Sequence, residues 1–175
     1  MPSYNILDKV EYPADIKKLN FKELNQLSAD VSKYIHDVIN EIGGHYASPL
    51  GAVDLTLALH YAYNTPFDKL IWDVGHQAYA HKIITGRKKD FKNIRKYNGI
   101  SGFLKIDESE YDVFGAGHAS TSVSAALGVA HARDKARSNH QVVAVIGDGA
   151  LTGGMAYEGL NNLGYHKTQL TVVLN

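Results

Sequence analysis

The sequence predicts an α/β fold: a mainly parallel sheet with helices on both faces. Three observations predict it. Gln141–Ile146 is a near-continuous apolar run, the pattern of a strand buried on both faces of a parallel sheet. Leu151–Leu163 has helical character and Gln169–Leu174 is a second apolar run. Strand, helix and strand then follow within about 35 residues, which is the span of a right-handed βαβ unit. Upstream, Lys69–Trp72 is a third short apolar run followed by another helical stretch, so the alternation extends along the chain.

The elements follow in order. Residues 1–19 are polar and irregular, and Pro13 argues against a long helix there. Asn20 and Glu23 have capping-box spacing. Leu24, Leu27, Val31, Ile35, Val38, Ile39 and Ile42 then recur with helical period until Gly43-Gly44 ends the run. A second helix is predicted from about Pro49 to Tyr61, with Leu50, Val53, Leu57 and Tyr61 on one face. After the strand 69–72, a helix runs from about Gln77 to Thr85 and stops at Gly86. Residues 87–114 read as an excursion with a short helix and a long loop. A helix from about Ser120 to Arg137 carries Ala125, Ala126, Gly128, Ala130 and Ala132, small enough to let another backbone approach. No internal repeat or low-complexity tract interrupts this order.

Composition bounds the function. The chain has 175 residues, 45% of them hydrophobic and 21% charged, enough for one domain with a real core. The 18 basic and 18 acidic residues cancel, which argues against nucleic acid as a partner. There is no cysteine, so disulfides and thiolate-bound metals are excluded, and a reducing cytoplasmic location fits. No run approaches the roughly 20 apolar residues of a membrane span. The N-terminal MPSYNILDKVEYPADIKKL has no apolar signal core and contains acidic residues that transit peptides avoid.

Ligands of open α/β sheets bind beyond the C-terminal ends of the strands, and three segments fall at such places. In Gly147-Asp148-Gly149-Ala150, the glycines admit close approach of a ligand, and Asp148 could offset diphosphate charge through Mg²⁺. An ordinary turn with a backbone-capping aspartate explains the same four residues. GAGHAST (115–121) is a second glycine-rich loop opening a helix, with Ser120 where a dinucleotide fingerprint would have its third glycine. His118 there either meets a phosphate or heterocycle or caps backbone groups. The third segment is Asp73–His76, where His76 follows a strand and so tends to face a ligand. His76 and His81 are five apart, which is wrong for an i, i+4 zinc pair. His45 sits in a small-residue loop that fits an active-site loop and a surface loop equally well. His36, His60, His131, His140 and His166 read as structural or solvated, and Trp72 as core.

The segments GGHYASPLG (43–51), LALHYAYNTPFDKLIWDVGHQAYAHKIITGR (57–87), ESEYDVFGAGHAST (108–121) and IGDGALTGGMAYEGLNNLG (146–164) resemble the 1-deoxy-D-xylulose-5-phosphate synthases. These are thiamine-diphosphate enzymes of the transketolase superfamily. The resemblance runs from Leu7 onward, and the IWDVGHQAY segment is more specific than the shared GDG. It implies a partial thiamine-diphosphate-binding domain of transketolase type, within a cytoplasmic homodimer and with no membrane partner. The implied reaction condenses pyruvate with glyceraldehyde 3-phosphate, with loss of CO₂, to give 1-deoxy-D-xylulose 5-phosphate for isoprenoid, thiamine and pyridoxal synthesis. The cofactor, with Mg²⁺, carries the hard chemistry and the protein positions it.

By the same resemblance, Asp148 matches the magnesium ligand, and Gly149 and Ala150 the backbone that contacts the diphosphate. Gly117, His118 and Ala119 match a cofactor-contacting loop, with Ala119 where the family often has serine, so a hydroxyl contact there would be lost. His76 matches a cofactor-binding histidine near the reacting centre, and His45 a histidine of proton transfer or substrate contact. The family's second magnesium ligand is the last residue of an Asn-Asp-Asn triplet, whose first Asn matches Asn175. Residues 1–175 are therefore expected to be a truncated N-terminal diphosphate-binding domain without the later domains, inactive by itself. Another transketolase-type enzyme and a non-catalytic binding or assembly module are the competing expectations.

Overall fold

The computed structural model describes residues 4–115 and 117–175, so Ala116 of the glycine-rich loop and the first three residues lie outside the described residues. The chain divides into two compact units, one comprising the residues up to Asn64 with His76–Gly102, the other Thr65–Gly75 with Phe103–Asn175.

In the first unit, the N-terminal segment is packed rather than loose. A 3-10 turn at Leu7–Lys9 precedes the short helix α1 (Pro13–Ile16), and Leu7, Val10 and Ile16 are all buried. Proline opens α1, where its missing N–H costs nothing. The segment is fastened by Asp30, a buried carboxylate that accepts the N–H groups of Ile6 (2.7 Å) and Leu7 (3.1 Å). Asp30 belongs to the long helix α2 (Phe21–Ile42). The predicted capping box forms there: Asn20 accepts from the Glu23 N–H at 3.0 Å, and Glu23 accepts from the Asn20 N–H at 2.9 Å. Leu27, Val31, Ile35, Val38 and Ile39 make its buried stripe, and Gly43, at φ +76°, ends it.

The predicted helix 49–61 is two helices, α3 (Ala47–Gly51) and α4 (Val53–Ala62), parted at Ala52 (φ −100°, ψ 4°). The buried face of α4 runs Val53, Thr56, Leu57, His60. It takes in His60 and leaves Tyr61, assigned to that face from sequence, 42% exposed. Helix α5 (Tyr79–Lys82) continues through Ile83–Arg87 and leaves helical geometry at Thr85 (φ −115°, ψ 40°) and Gly86 (φ +87°). Glycine is required at 86 for a second reason. Its N–H reaches the Glu11 carbonyl at 3.0 Å, and a Cβ would meet the Tyr12 ring at 2.8 Å.

Helices α4 and α5 meet through two fully buried histidines, His60 Nε2 lying 2.9 Å from His81 Nδ1. Burial, then the His81 and Lys17 charges, hold His60 well below its usual range. Below about pH 6.5 the unfolded chain takes up a proton that folded His60 refuses. Stability should therefore be steady above that value and fall as pH drops through it. Melting temperatures measured between about pH 8 and pH 5.5 check this. The acid loss should shrink in His60→Gln, which pairs without titrating. A wild-type melting temperature independent of pH would contradict it.

The second unit carries the sheet. Strands β1 (Lys69–Trp72), β2 (Val142–Ile146) and β3 (Thr171–Leu174) are all parallel in the order β1-β2-β3. Ile71 pairs with Ala144, and Val145 with Val173. Helix α6 (Ser122–Lys135) joins β1 to β2 in sequence. The turn α7 (Asp148–Leu151) and helix α8 (Gly154–His166) join β2 to β3, as a βαβ unit requires. Val142 and Ala144 pack under Ala126 and Ala130 of α6, while Ile146 packs with Val123 and Ala156 of α6 and α8. Val143 and Val145 point to the opposite face and are equally buried, so β2 is dry on both sides, as its composition predicts. Helix α6 starts two residues later than predicted. Its close neighbour is Gly159 of α8, where a Cβ would lie 3.1 Å from Val123 and 2.9 Å from the Ser124 hydroxyl. Gly128, the glycine of the small-residue stripe, has open space above it.

Candidate functional site

Parallel strands end at one edge, and in the second unit that edge gathers Asp73 after β1, Gly147-Asp148-Gly149 after β2, and Asn175 after β3. The backbone ladder extends into these ends: the Asp73 N–H reaches Val145 O at 2.8 Å, Asn175 N–H reaches Ile146 O at 3.0 Å, and Asp148 N–H reaches Asn175 O at 3.1 Å. Rigid strands thus fix where each loop begins.

Asp148 is exposed, and its Oδ1 accepts the Gly149 N–H at 2.7 Å. A Cβ built on Gly147 or Gly149 would meet nothing within 4 Å. The carboxylate therefore stands at an open, side-chain-free stretch of backbone. Gly117, at φ +146°, His118 and Ala119 are exposed on the neighbouring loop, and the His118 carbonyl accepts the Thr121 hydroxyl at 3.1 Å.

Asp73 and Ser120, which lie in the predicted ligand-facing segments but were assigned no role there, hold these loops. Asp73 is 1% exposed, and its two carboxylate oxygens accept the N–H groups of Ser120 (2.8 Å) and Ser122 (2.9 Å). Ser120 in turn donates its hydroxyl to the Ala150 carbonyl at 2.6 Å. The structure thus brings Asp148, Gly149 and Ala150 together with the loop of Gly117, His118 and Ala119. Ser120 also explains the missing third glycine. It sits at φ +69°, the left-handed region that glycine favours, and three hydrogen bonds in and around it hold it there. An aspartate directly after a strand was the available signal for Asp73. Nothing in the sequence separates Ser120 from a plain loop serine.

In the first unit, His45 and His76 come together, their rings 5.3 Å apart and inclined by 59°. Tyr79, three residues after His76 and buried at the start of α5, backs His45. Its hydroxyl accepts the His45 backbone N–H at 3.4 Å and lies 3.4 Å from His45 Nδ1. Phe91 packs edge-on against the Tyr79 ring at 5.3 Å. Partial burial, with the Arg95 charge second, lowers the His45 pKa and favours the neutral imidazole at neutral pH. A neutral ring can accept a proton, which is what a proton-transfer role needs. His81 is bonded to His60, away from any such role. A groove of about 870 Å³ in the same unit, lined by residues such as Tyr34, Asp37, Lys88 and Lys92, contains none of the candidate residues.

The residues present fit a diphosphate with a hard cation. Mg²⁺ keeps several waters and takes one or two carboxylates beside phosphate oxygens. One exposed carboxylate next to side-chain-free backbone is such a donor set. Among the described residues no group of three or more metal-ligating side chains exists, so a site built from protein side chains alone is not offered.

The chain matches the family described as 1-deoxy-D-xylulose-5-phosphate synthase over residues 7–175. It is 59% identical over 171 residues to the 1-deoxy-D-xylulose-5-phosphate synthase of Halothermothrix orenii, covering 98% of this chain and 27% of that protein. The synthase of Dictyoglomus turgidum is 58% identical over 170 residues, 97% of this chain and 28% of the relative. The chain thus spans little more than a quarter of the length of these relatives. Among solved structures, transketolase from Campylobacter jejuni superposes with a TM-score of 0.75 at 24% identity, covering 85% of this chain and 27% of that one. Transketolase from Leishmania mexicana does so with 0.72 at 20% identity, covering 86% and 27%. These two likenesses show the fold, which is part of a transketolase-type architecture. The family match and the identities settle the kinship: the chain belongs to the 1-deoxy-D-xylulose-5-phosphate synthase family.

Proposed function

We propose that the chain is the N-terminal diphosphate-binding part of an enzyme that condenses pyruvate with glyceraldehyde 3-phosphate, using thiamine diphosphate and Mg²⁺. The observation that carries this reading is the exposed Asp148 on open glycine backbone at the end of the buried strand β2, tied to the His118 loop through Ser120. When bound, thiamine diphosphate supplies the electron sink for decarboxylation and carbon–carbon bond formation. The protein's share is to hold and orient. Asp148 is the magnesium ligand, and Gly149 and Ala150 present backbone to the diphosphate. Gly117, His118 and Ala119 contact the cofactor. His76 binds it near the reacting centre. His45, kept neutral by burial, takes or gives a proton on the substrate side. A cytoplasmic homodimer is the setting of this reading, and the cysteine-free composition suits that compartment.

The likeness of the fold to transketolases supports a second reading, in which a ketose phosphate is the donor. One assay separates the two. The complete protein that contains this chain is given glyceraldehyde 3-phosphate with either pyruvate or a ketose phosphate, and the product is identified by mass. The first reading expects 1-deoxy-D-xylulose 5-phosphate and CO₂ from pyruvate only. Turnover of the ketose phosphate alone contradicts it. The isolated 175 residues should show no pyruvate decarboxylation above a His76→Ala control.

A further inference from the structure

We infer that Asp73 is a positioning residue that clamps the two loops of the diphosphate cradle into one piece, with Ser120 as the link. The inference rests on the reading of those loops as the cofactor site, but its geometry stands apart from that reading. Asp73 is buried, lies directly after β1, and spends both carboxylate oxygens on backbone N–H groups of the loop entering α6. A buried carboxylate is costly unless it is well bonded, so its place here needs a use. Its use is to fix Ser120, whose left-handed backbone a serine does not adopt without support. Once Ser120 is fixed, its hydroxyl falls on the Ala150 carbonyl, in the turn that carries Asp148.

The fit around that hydroxyl is close. A Cβ on Gly153 would lie 2.2 Å from the Ser120 Oγ and 3.0 Å from its Cβ, so the chain leaves Gly153 bare to admit the link. The path runs from the end of β1 through Asp73, Ser120 and Ala150 to the Asp148 turn at the end of β2. Displacement of either loop strains the other, so Gly117 and His118 keep a fixed register against Asp148. Asp73 touches neither ion nor substrate in this scheme. It acts through the backbone of others.

Asp73→Asn tests it, because the amide replaces one acceptor with a donor that faces a backbone N–H. Ser120→Ala is the milder second variant, removing only the link to Ala150. Both are made in the complete protein, and hydrogen exchange is followed by mass spectrometry without cofactor. Asp73→Asn should speed exchange in peptides covering residues 117–124 by about tenfold or more, the loss of a charge-assisted buried hydrogen bond. Ser120→Ala should do so in peptides covering 148–153. Both variants should then bind thiamine diphosphate about ten- to a hundredfold more weakly at saturating Mg²⁺, in the range found when supporting residues of metal sites are lost. The Mg²⁺ dependence itself should be retained, since Asp148 remains. A general fold defect would instead raise exchange throughout the sheet.

Unchanged exchange at 117–124 in Asp73→Asn overturns the clamp. Faster exchange there with unaltered cofactor affinity overturns its link to the cradle. If the wild-type protein binds no thiamine diphosphate, the functional reading fails, and the exchange result still decides for or against the clamp.

Discussion

Asp148→Ala is expected to abolish magnesium-dependent cofactor binding in the complete protein while leaving the fold intact. The fold should survive because the Asp148 side chain is exposed and, among the described residues, accepts only the adjacent Gly149 N–H, at 2.7 Å. Its backbone N–H, which holds the Asn175 carbonyl, is kept by alanine. The binding loss should be large because the removed group is a direct ligand. Loss of a supporting residue alone costs metal sites about 10–100-fold, so a direct carboxylate should cost at least about a hundredfold in Mg²⁺ affinity. Titrating activity against Mg²⁺ at saturating thiamine diphosphate measures this. A variant with wild-type magnesium dependence would place the ion elsewhere.

The second large effect is expected from Gly153→Ala, and it acts through shape rather than charge. Gly153 has φ −77°, a conformation alanine adopts freely, so its backbone gives no reason for glycine. Replacing glycine at such a position ordinarily stabilises by about 0.4–1 kcal/mol. Here the new Cβ would sit 2.2 Å from the Ser120 hydroxyl oxygen. Overfilling of this kind costs about 1–3 kcal/mol, which outweighs the backbone gain. Relief requires Ser120 to turn away and give up its bond to Ala150. The melting temperature should fall and cofactor affinity with it. Gly153→Ala,Ser120→Gly, which removes the clash and suits the left-handed backbone, should recover stability but not affinity. Recovery of both would mean that the hydroxyl link is dispensable.

The legible part of this protein was what local chemistry dictates. Asn20 and Glu23 announced a capping box, and it forms. The apolar run before Gly147 announced a strand buried on both faces, and β2 is that strand. Parallel order followed from the βαβ spacing. The boundaries were less legible where backbone geometry departs from periodicity. Ala52 parts a helix that the apolar pattern reads as continuous, and the stripe beyond it includes His60 in place of Tyr61. The N-terminal segment reads as irregular, yet a carboxylate more than 20 positions later along the chain, Asp30, pins it.

At the candidate site, the groups that would meet a ligand stand out by residue type: an aspartate between glycines, and histidines in glycine-rich loops. Those that hold them do not. Asp73, Ser120 and Tyr79 act through contacts over 30 or more positions of sequence, and only the fold brings them to their partners. The departure of GAGHAST from a fingerprint is instructive here. Serine at a glycine position looked like a weakened motif, whereas the structure uses its hydroxyl.

On the proposed reading, the end of β2 is half of a magnesium–diphosphate site. Calorimetric titration of thiamine diphosphate into the complete protein, with and without Mg²⁺, tests it most directly. Saturable binding that requires Mg²⁺ and disappears in Asp148→Ala is the expected result. Tight binding that is indifferent to both the ion and Asp148 would contradict it.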